Sequence, residues 1–489
     1  MVSNLSNDME TNRSLLEREL SNRADIVSRE LSGPNGRKVC VLYAPGTVDR
    51  ILLGHCLTRL AEEIPDSAAE LRRSETFSKL MYTDNLDELT QSVLTGKAAL
   101  LFGSGEAAFI AGIEGWPARS IQEPDAEPLV RGPREGFVEQ LDTNLAMISN
   151  RLRTQDLKME MLLIGKYTQT KVALVYINGV ASESIVQEVR ERVSEIRIDG
   201  IIDSSYVEAF IEDEPYSPFP TIQNTERPDV TAAGLLEGRV AILSQGSPTA
   251  LLAPFTFWGA IQSAQDYYER WIVSTFVRWI RLVFMAITLF LPSIYVAIST
   301  FHPEMIPTNL LVSIAGAREA NPFPAFVEAF IMEISFEALR EAGVRLPKQV
   351  GAAVSIVGAL VIGQAAVEAG IVSTPMVIVV AITGIASFTI PRFNFSFGLR
   401  LLRFPMMFLA GAFGLYGIAI GFLALLVHLS SLRSFGVAYL YPIAPLSRHS
   451  LNDVFIRAPH WAFSRRSRPF DRRNPIRVPG GQKPRPDRS

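Results

Sequence analysis

The distribution of charge along the chain limits its fold more than any other feature. Up to about Tyr268, charged side chains are scattered throughout. Beyond that point come stretches of about 20 residues nearly free of charge, the length a helix needs to cross about 30 Å of hydrocarbon. Residues 279–300, 350–372, 374–390 and 404–429 are such stretches. Arg278 and Arg281 stand at the entrance of the first, and Pro292 lies inside it. The fold class that follows is an α/β soluble N-terminal region followed by an α-helical multi-pass membrane domain. The opening residues are polar and hold no apolar core of the kind a signal peptide needs. The N-terminal half is therefore expected to stay in the cytoplasm.

The soluble region reads as two related subdomains. Lys38-Val-Cys-Val-Leu-Tyr-Ala-Pro-Gly46 resembles Lys171-Val-Ala-Leu-Val-Tyr-Ile-Asn-Gly179, each a buried strand ending in a turn. Leu94-Thr-Gly-Lys-Ala-Ala-Leu-Leu-Phe-Gly-Ser104 resembles Leu236-Glu-Gly-Arg-Val-Ala-Ile-Leu-Ser-Gln-Gly246. Each of these is a helix end at a glycine, then a basic residue, then an apolar strand. Two matched pairs in the same order predict a duplication. The division expected is a disordered polar N-terminus (1–36), a first subdomain (37–135) and a linker helix with a second subdomain (136–275). A membrane domain (276–446) and a basic, Pro-rich cytoplasmic tail (447–489) follow, and the tail also reads as disordered.

Enzyme chemistry finds no footing in this half. Gly103-Ser-Gly105 is a short turn, with no glycine-rich phosphate loop around it. The 5 histidines are dispersed, so no Ser/His/Asp arrangement can be argued. The 2 cysteines, Cys40 and Cys56, lie in or beside apolar stretches and read as buried free thiols rather than a metal site or disulfide. No cofactor is expected, and a net charge of -3 implies no nucleic acid partner.

The membrane half carries polar groups at two places. Residues 323–339, FPAFVEAFIMEISFEAL, are apolar but hold Glu328, Glu333 and Glu337. The segment is either an interfacial amphipathic helix or a crossing whose acids face a protein interior or an aqueous vestibule. If it crosses, the loop with Arg340, Arg345 and Lys348 and the loop with Arg392, Arg400 and Arg403 both fall inside, as the positive-inside rule asks. The arginine-dense tail after Leu432 then falls outside, unless a short crossing or re-entrant element near 435–446 brings it back. A cytoplasmic tail and four to six membrane elements are expected. The run 350–372 is rich in small residues, which let helices approach closely in lipid. Val357, Val361, Gln364 and Glu368 share one of its faces. They form either a helix–helix interface or a pore lining, with valines as the constriction and Gln364 and Glu368 as its wet part.

Several long segments carry a resemblance. They are Arg119-Ser-Ile-Gln-Glu-Pro124, Val130-Arg-Gly-Pro-Arg-Glu-Gly-Phe137, Thr143-Asn-Leu-Ala-Met-Ile-Ser-Asn-Arg151 and Pro322-Phe-Pro-Ala-Phe-Val-Glu328. To these add Met332-Glu-Ile-Ser-Phe-Glu-Ala-Leu-Arg-Glu-Ala-Gly-Val-Arg-Leu-Pro347 and Ser355-Ile-Val-Gly-Ala-Leu-Val-Ile-Gly-Gln-Ala-Ala366. Together they resemble the A subunit of the GerA-type spore germination receptors, over residues 37–459. The resemblance implies a protein of the bacterial spore inner membrane, in contact with membrane lipid. It implies assembly as a homo-oligomer with a permease-like B subunit and a lipoprotein C subunit. It further implies nutrient sensing that starts germination by ion release, with the A subunit as the conducting part. A non-conducting scaffold that relays a signal from the permease-like partner is the alternative.

Overall fold

A computed structural model describes the chain except residues 1–4, 7, 35, 63, 65–79, 104–107, 116–122, 125–126, 320, 346–357, 359–360, 362, 448–449, 467–473 and 485–489. The soluble half is built from two five-stranded sheets. The first holds β1 (Val27–Ser32), β2 (Lys38–Tyr43), β3 (Leu80–Thr83), β4 (Ala98–Phe102) and β5 (Ala108–Ala111), in the order β1-β2-β4-β5-β3. The second holds β6 (Leu157–Ile164), β7 (Thr170–Ile177), β8 (Gln223–Thr225), β9 (Val240–Ser244) and β10 (Ala250–Ala253), in the order β6-β7-β9-β10-β8. The two orders are the same, and each described ladder is antiparallel.

The duplication extends to register. In the first sheet Val39 faces Phe102 and Cys40 faces Leu101. In the second Val172 faces Ser244 and Ala173 faces Leu243. These are the positions that the two sequence pairs align. Gly96 and Gly238 also correspond. Each follows a helix with φ near +90° (90° and 96°), a conformation that favours glycine at a helix C-terminus.

Both faces of each sheet are covered, which is why the central strands read as unbroken apolar runs. Helix Arg50–Glu62 packs Leu53, Cys56 and Leu60 on Val39, Val41 and Leu100. On the opposite face, Leu16 joins Leu89 and Val93 of helix Leu86–Leu94 against Cys40, Leu42 and Leu101. Both cysteines are free and buried, and burial pushes the Cys56 thiol up to about 12.

The N-terminus differs from expectation. Residues 1–36 read as disordered because polar side chains outnumber apolar ones there. Within them, however, helix Met9–Glu19 buries Met9 and Leu16, and β1 pairs along β2. In the second repeat the corresponding helix is Leu141–Arg151, which the sequence suggested was a linker. It packs Leu141, Leu145 and Ile148 on the second sheet. Each repeat thus begins with a helix and an edge strand.

The membrane half is a helical bundle. Helix Trp271–Phe301 leaves the soluble half and ends beside Gly414. Helix Ala325–Arg345 returns, with Phe326 against Gly411 and Phe408 and Phe330 against Phe404. Helix Thr374–Phe388 runs parallel to it, since Ser373 meets Glu328 and Ser387 meets Arg340. The chain is therefore at the near end of the bundle at Arg345 and at the far end by Val372. Of the stretch between, Gly358, Val361 and 363–372 are described, and 363–368 are helical.

The last element, Phe393–Ser431, is a hairpin rather than one helix. Gly414 has φ 61° and ψ -141°, which reverses the chain. A Cβ at Gly417 would lie 2.0 Å from the Leu409 carbonyl oxygen, and one at Gly421 2.4 Å from Met406 Sδ. Phe395 and His428 consequently both flank Phe219 of the soluble half, at ring distances of 5.6 and 6.2 Å. Residues 393–413 lead away from the soluble half and 415–431 lead back.

After the hairpin the chain rejoins the soluble half. Ser434 Oγ donates to the Thr221 carbonyl (2.6 Å), and Phe435 N–H to Asp213 (2.8 Å). The Arg192 guanidinium lies 4.5 Å from the Phe435 ring. The segment 435–446, for which a further membrane element was suggested, thus packs on the second subdomain. Part of the supposedly disordered tail is also ordered. Asp453 accepts from Arg278 (2.9 Å), Arg278 donates to Asp266 (3.1 Å), and Arg457 reaches the Tyr267 carbonyl (3.0 Å). Charge pairing, invisible in a composition count, is what orders it.

Two outcomes follow from this packing. Leu16→Ala should cost about 2–5 kcal/mol, the usual loss for a truncated core leucine, read from the unfolding midpoint of the soluble half. Gly414→Val should lower the melting temperature of the purified chain in detergent, because a β-branched residue is strained at that φ and ψ.

Candidate functional site

Glu328, Glu333 and Glu337 all lie on helix Ala325–Arg345, and each is held by an arginine. Glu328 is fully buried at the far end, where one oxygen accepts from Ser373 N–H (2.9 Å) and Oγ (2.7 Å). Its other oxygen faces Arg318 Nε at 3.4 Å. Glu333 pairs with Arg403, both with almost no exposure. Arg403 Nε also donates to the Thr288 carbonyl (2.9 Å). Glu337 accepts from Arg400 (2.8 Å) and from Arg340 (3.4 Å). Arg340 donates in turn to Ser387 Oγ (2.8 Å) and lies between the rings of Phe336 and Phe388.

This ladder follows from helix geometry. Glu333 and Glu337 are four apart, so they share a face. Arg400 and Arg403 are three apart on residues 393–413 and present both cations to that face. The two helices are antiparallel, which matches the higher-numbered acid to the lower-numbered base. Four helices are tied together this way, because Arg403 also reaches Thr288 on Trp271–Phe301 and Arg340 reaches Ser387 on Thr374–Phe388.

The second set of candidates points elsewhere. Val357 lies outside the described residues. Val361 is 55% exposed, and Gln364 and Glu368 are exposed on the same helical face. Gln364 Nε2 donates to Glu368 at 2.8 Å. The opposite side of this helix turns inward, where a Cβ at Gly363 would rest 3.5 Å from Val377. The valine, glutamine and glutamate therefore sit on the outside of the bundle, apart from the carboxylates at Glu328 and Glu333 inside it.

Reading the sequence for acids alone missed their partners. Arg318, Arg340, Arg400, Arg403 and Ser373 complete the ladder, and Arg400 and Arg403 were read only as loop charges. The available signal was the spacing: Glu at i and i+4 in one apolar run and Arg at i and i+3 in another. A further ion pair lies at the soluble end. Glu127, on the connector between β5 and helix Leu141–Arg151, pairs through its carboxylate with Arg392, just before the hairpin, and accepts from Thr225 Oγ1 (2.5 Å). That contact links the soluble half to the bundle.

Removing one partner of the buried pair leaves a charge without compensation. Arg403→Ala should cost about 3–5 kcal/mol, seen as a lower melting temperature of the purified chain. The double variant Glu333→Leu with Arg403→Met should recover most of that loss.

Known proteins match the chain along most of its length. The family description Bacillus/Clostridium GerA spore germination protein matches residues 14–469. The chain is 47% identical over 456 residues to the uncharacterized membrane protein YfkQ of Bacillus subtilis, covering 92% of this chain and 89% of that one. It is 43% identical to spore germination protein KA of Bacillus subtilis, over 96% of this chain and 88% of the other. For spore germination protein B1 of the same organism the identity is 38%, over 97% and 99%. A crystal structure of the N-terminal domain of the A subunit of the Bacillus megaterium spore germinant receptor GerK3 is 35% identical. It covers 53% of this chain and 98% of that one, with a TM-score of 0.42. The chain is a membrane protein that belongs to the GerA family of spore germination proteins, as a non-enzymatic A subunit of a germinant receptor.

Proposed function

We propose that copies of this chain assemble in the spore inner membrane around an ion pathway that a nutrient signal opens. The observation that carries this reading is the outward-facing set Val361, Gln364 and Glu368. A glutamate and a glutamine on the lipid-facing side of a membrane helix are expensive. A second copy of the chain, or water between copies, removes that cost. The valine then narrows the pathway and Glu368 favours cations. The inward carboxylates serve a different end in this account. They hold the bundle rigid through their arginines, so ions pass between copies and not through one.

Orientation follows from the basic residues. Arg340, Arg345, Arg392 and Arg400 lie toward the soluble half, and the tail packs on that half. The positive-inside rule then puts the soluble half in the cytoplasm. The resemblance to germinant receptors supplies the partners: a permease-like B subunit that holds the nutrient and a lipoprotein C subunit. The Glu127–Arg392 contact is a route by which the soluble half biases the bundle. One observation favours the alternative of a non-conducting signal relay: the carboxylates at Glu328, Glu333 and Glu337 are each already paired.

Two measurements separate these readings. Val361→Ala in spores should give ion leakage and germination without nutrient. Intact dormancy with normal germination would argue against a valine gate. The purified chain in liposomes should pass monovalent cations, and Glu368→Gln should reduce that flux. A complete lack of flux from an assembled oligomer would favour the relay.

A further inference from the structure

At the near end of the bundle lies a cavity of ≈ 380 Å³ that the ion pathway does not use. Its wall brings together Arg340, Arg392 and Arg400 from the membrane half and Arg227 from the soluble half. Arg227 and Arg400 are 1% and 6% exposed. All four guanidinium groups have partners: Asp229 for Arg227, Glu127 for Arg392, and Glu337 for both Arg340 and Arg400. Four cations thus share three carboxylates. Arg340, Arg392 and Arg400 each also keep a buried Nε without a hydrogen-bond acceptor among the described residues, while Arg227 Nε lies 3.1 Å from Asp229. A buried donor without an acceptor is costly, and three around one cavity indicate a missing acceptor.

Two further features aim at the same space. Arg392 and Phe393, at the start of the hairpin's first helix, line the cavity, and that N-terminus has no side-chain cap. The free N–H groups of a helix start favour an anion. The rim is apolar. Phe388 and Phe393 line the cavity and are 68% and 65% exposed. Phe397, beside the Arg400 guanidinium, is exposed as well. A basic pocket opening between exposed aromatic side chains, at the end of a membrane bundle where the basic loops gather, has the chemistry of a lipid headgroup site.

We propose that this cavity binds the phosphate of an anionic membrane phospholipid, with its glycerol and acyl chains passing over Phe388 and Phe393. The bound phosphate lies between Arg227 of the soluble half and Arg340 and Arg400 of the bundle. It therefore fastens the two halves at the membrane surface. A free phosphate would share the arginines but would leave the aromatic rim without a purpose. The proposal rests on the chain being a membrane protein and not on its conducting ions.

The test uses the full chain purified in detergent, with binding read by native mass spectrometry and by melting temperature. Phosphatidylglycerol should remain bound and raise the melting temperature, and phosphatidylcholine should do neither. Arg400→Gln should weaken phosphatidylglycerol binding about fivefold, the worth of one arginine near an anionic headgroup. Arg400 also holds Glu337, so a second variant accompanies it: Phe393→Glu changes an exposed side chain, leaves the ladder intact, and should weaken binding as well. Equal stabilisation by the two lipids would overturn the proposal. So would unchanged binding in a folded Phe393→Glu variant. Stabilisation by inorganic phosphate with no lipid retained would also overturn it, in favour of a free-anion site.

Discussion

A charge at membrane depth must be neutralised where it stands, and the Glu333–Arg403 pair is where this bundle meets that demand. Neither side chain reaches solvent, so neither tolerates the loss of the other. The pair sets helix Ala325–Arg345 antiparallel to residues 393–413. Its arginine also takes the Thr288 carbonyl and so draws in Trp271–Phe301. With those three helices placed, Glu337 reaches Arg400, and Glu328 reaches the start of the Thr374–Phe388 helix through Ser373. A buried pair adds little net stability over apolar packing, but it penalises every other register of the helices that carry it.

Three contacts show how the soluble half is tied to this bundle. Arg278 enters the first helix already bound to Asp266 and, from the tail, to Asp453. Glu127 of the connector holds Arg392 at the entrance of the hairpin. Ser217 and Phe219 sit on His428 as the hairpin returns. Each contact joins an element of the second repeat, or the connector before it, to a different membrane helix. The first repeat makes no comparable described contact with the bundle.

Much of this was legible in the residues. The two sheets were visible as paired strand motifs, because strands buried on both faces leave unbroken apolar runs and repeats preserve their turn glycines. Even the cross-strand register of β2 with β4 and of β7 with β9 agrees with the sequence alignment. The first helix was not legible. Only Met9, Leu16 and Leu20 carry its apolar face, among polar neighbours. The hairpin was hidden for the opposite reason. Gly414 lies inside an apolar run with several other glycines, and nothing local distinguishes a reversal from close packing. That omission caused the difficulty with the basic tail. A single crossing there puts the tail on the wrong side, while a reversal at Gly414 places every basic segment on one side. The ion-pair ladder was half legible: the acids stood out in an apolar segment, but Arg400 and Arg403 lie 63 and 70 residues from Glu337 and Glu333, and only the fold brings them close.

The central claim is that the chain turns back at Gly414, with the turn and the tail on opposite faces of the membrane. Cysteine accessibility in intact cells tests it most directly, in a background with Cys40 and Cys56 replaced by serine. Tyr416→Cys, an exposed position next to the turn, should react with a membrane-impermeant maleimide added from outside. Ser447→Cys in the tail should react only after the membrane is opened. Labelling of both positions from the same side would contradict the hairpin and the arrangement of charge built on it.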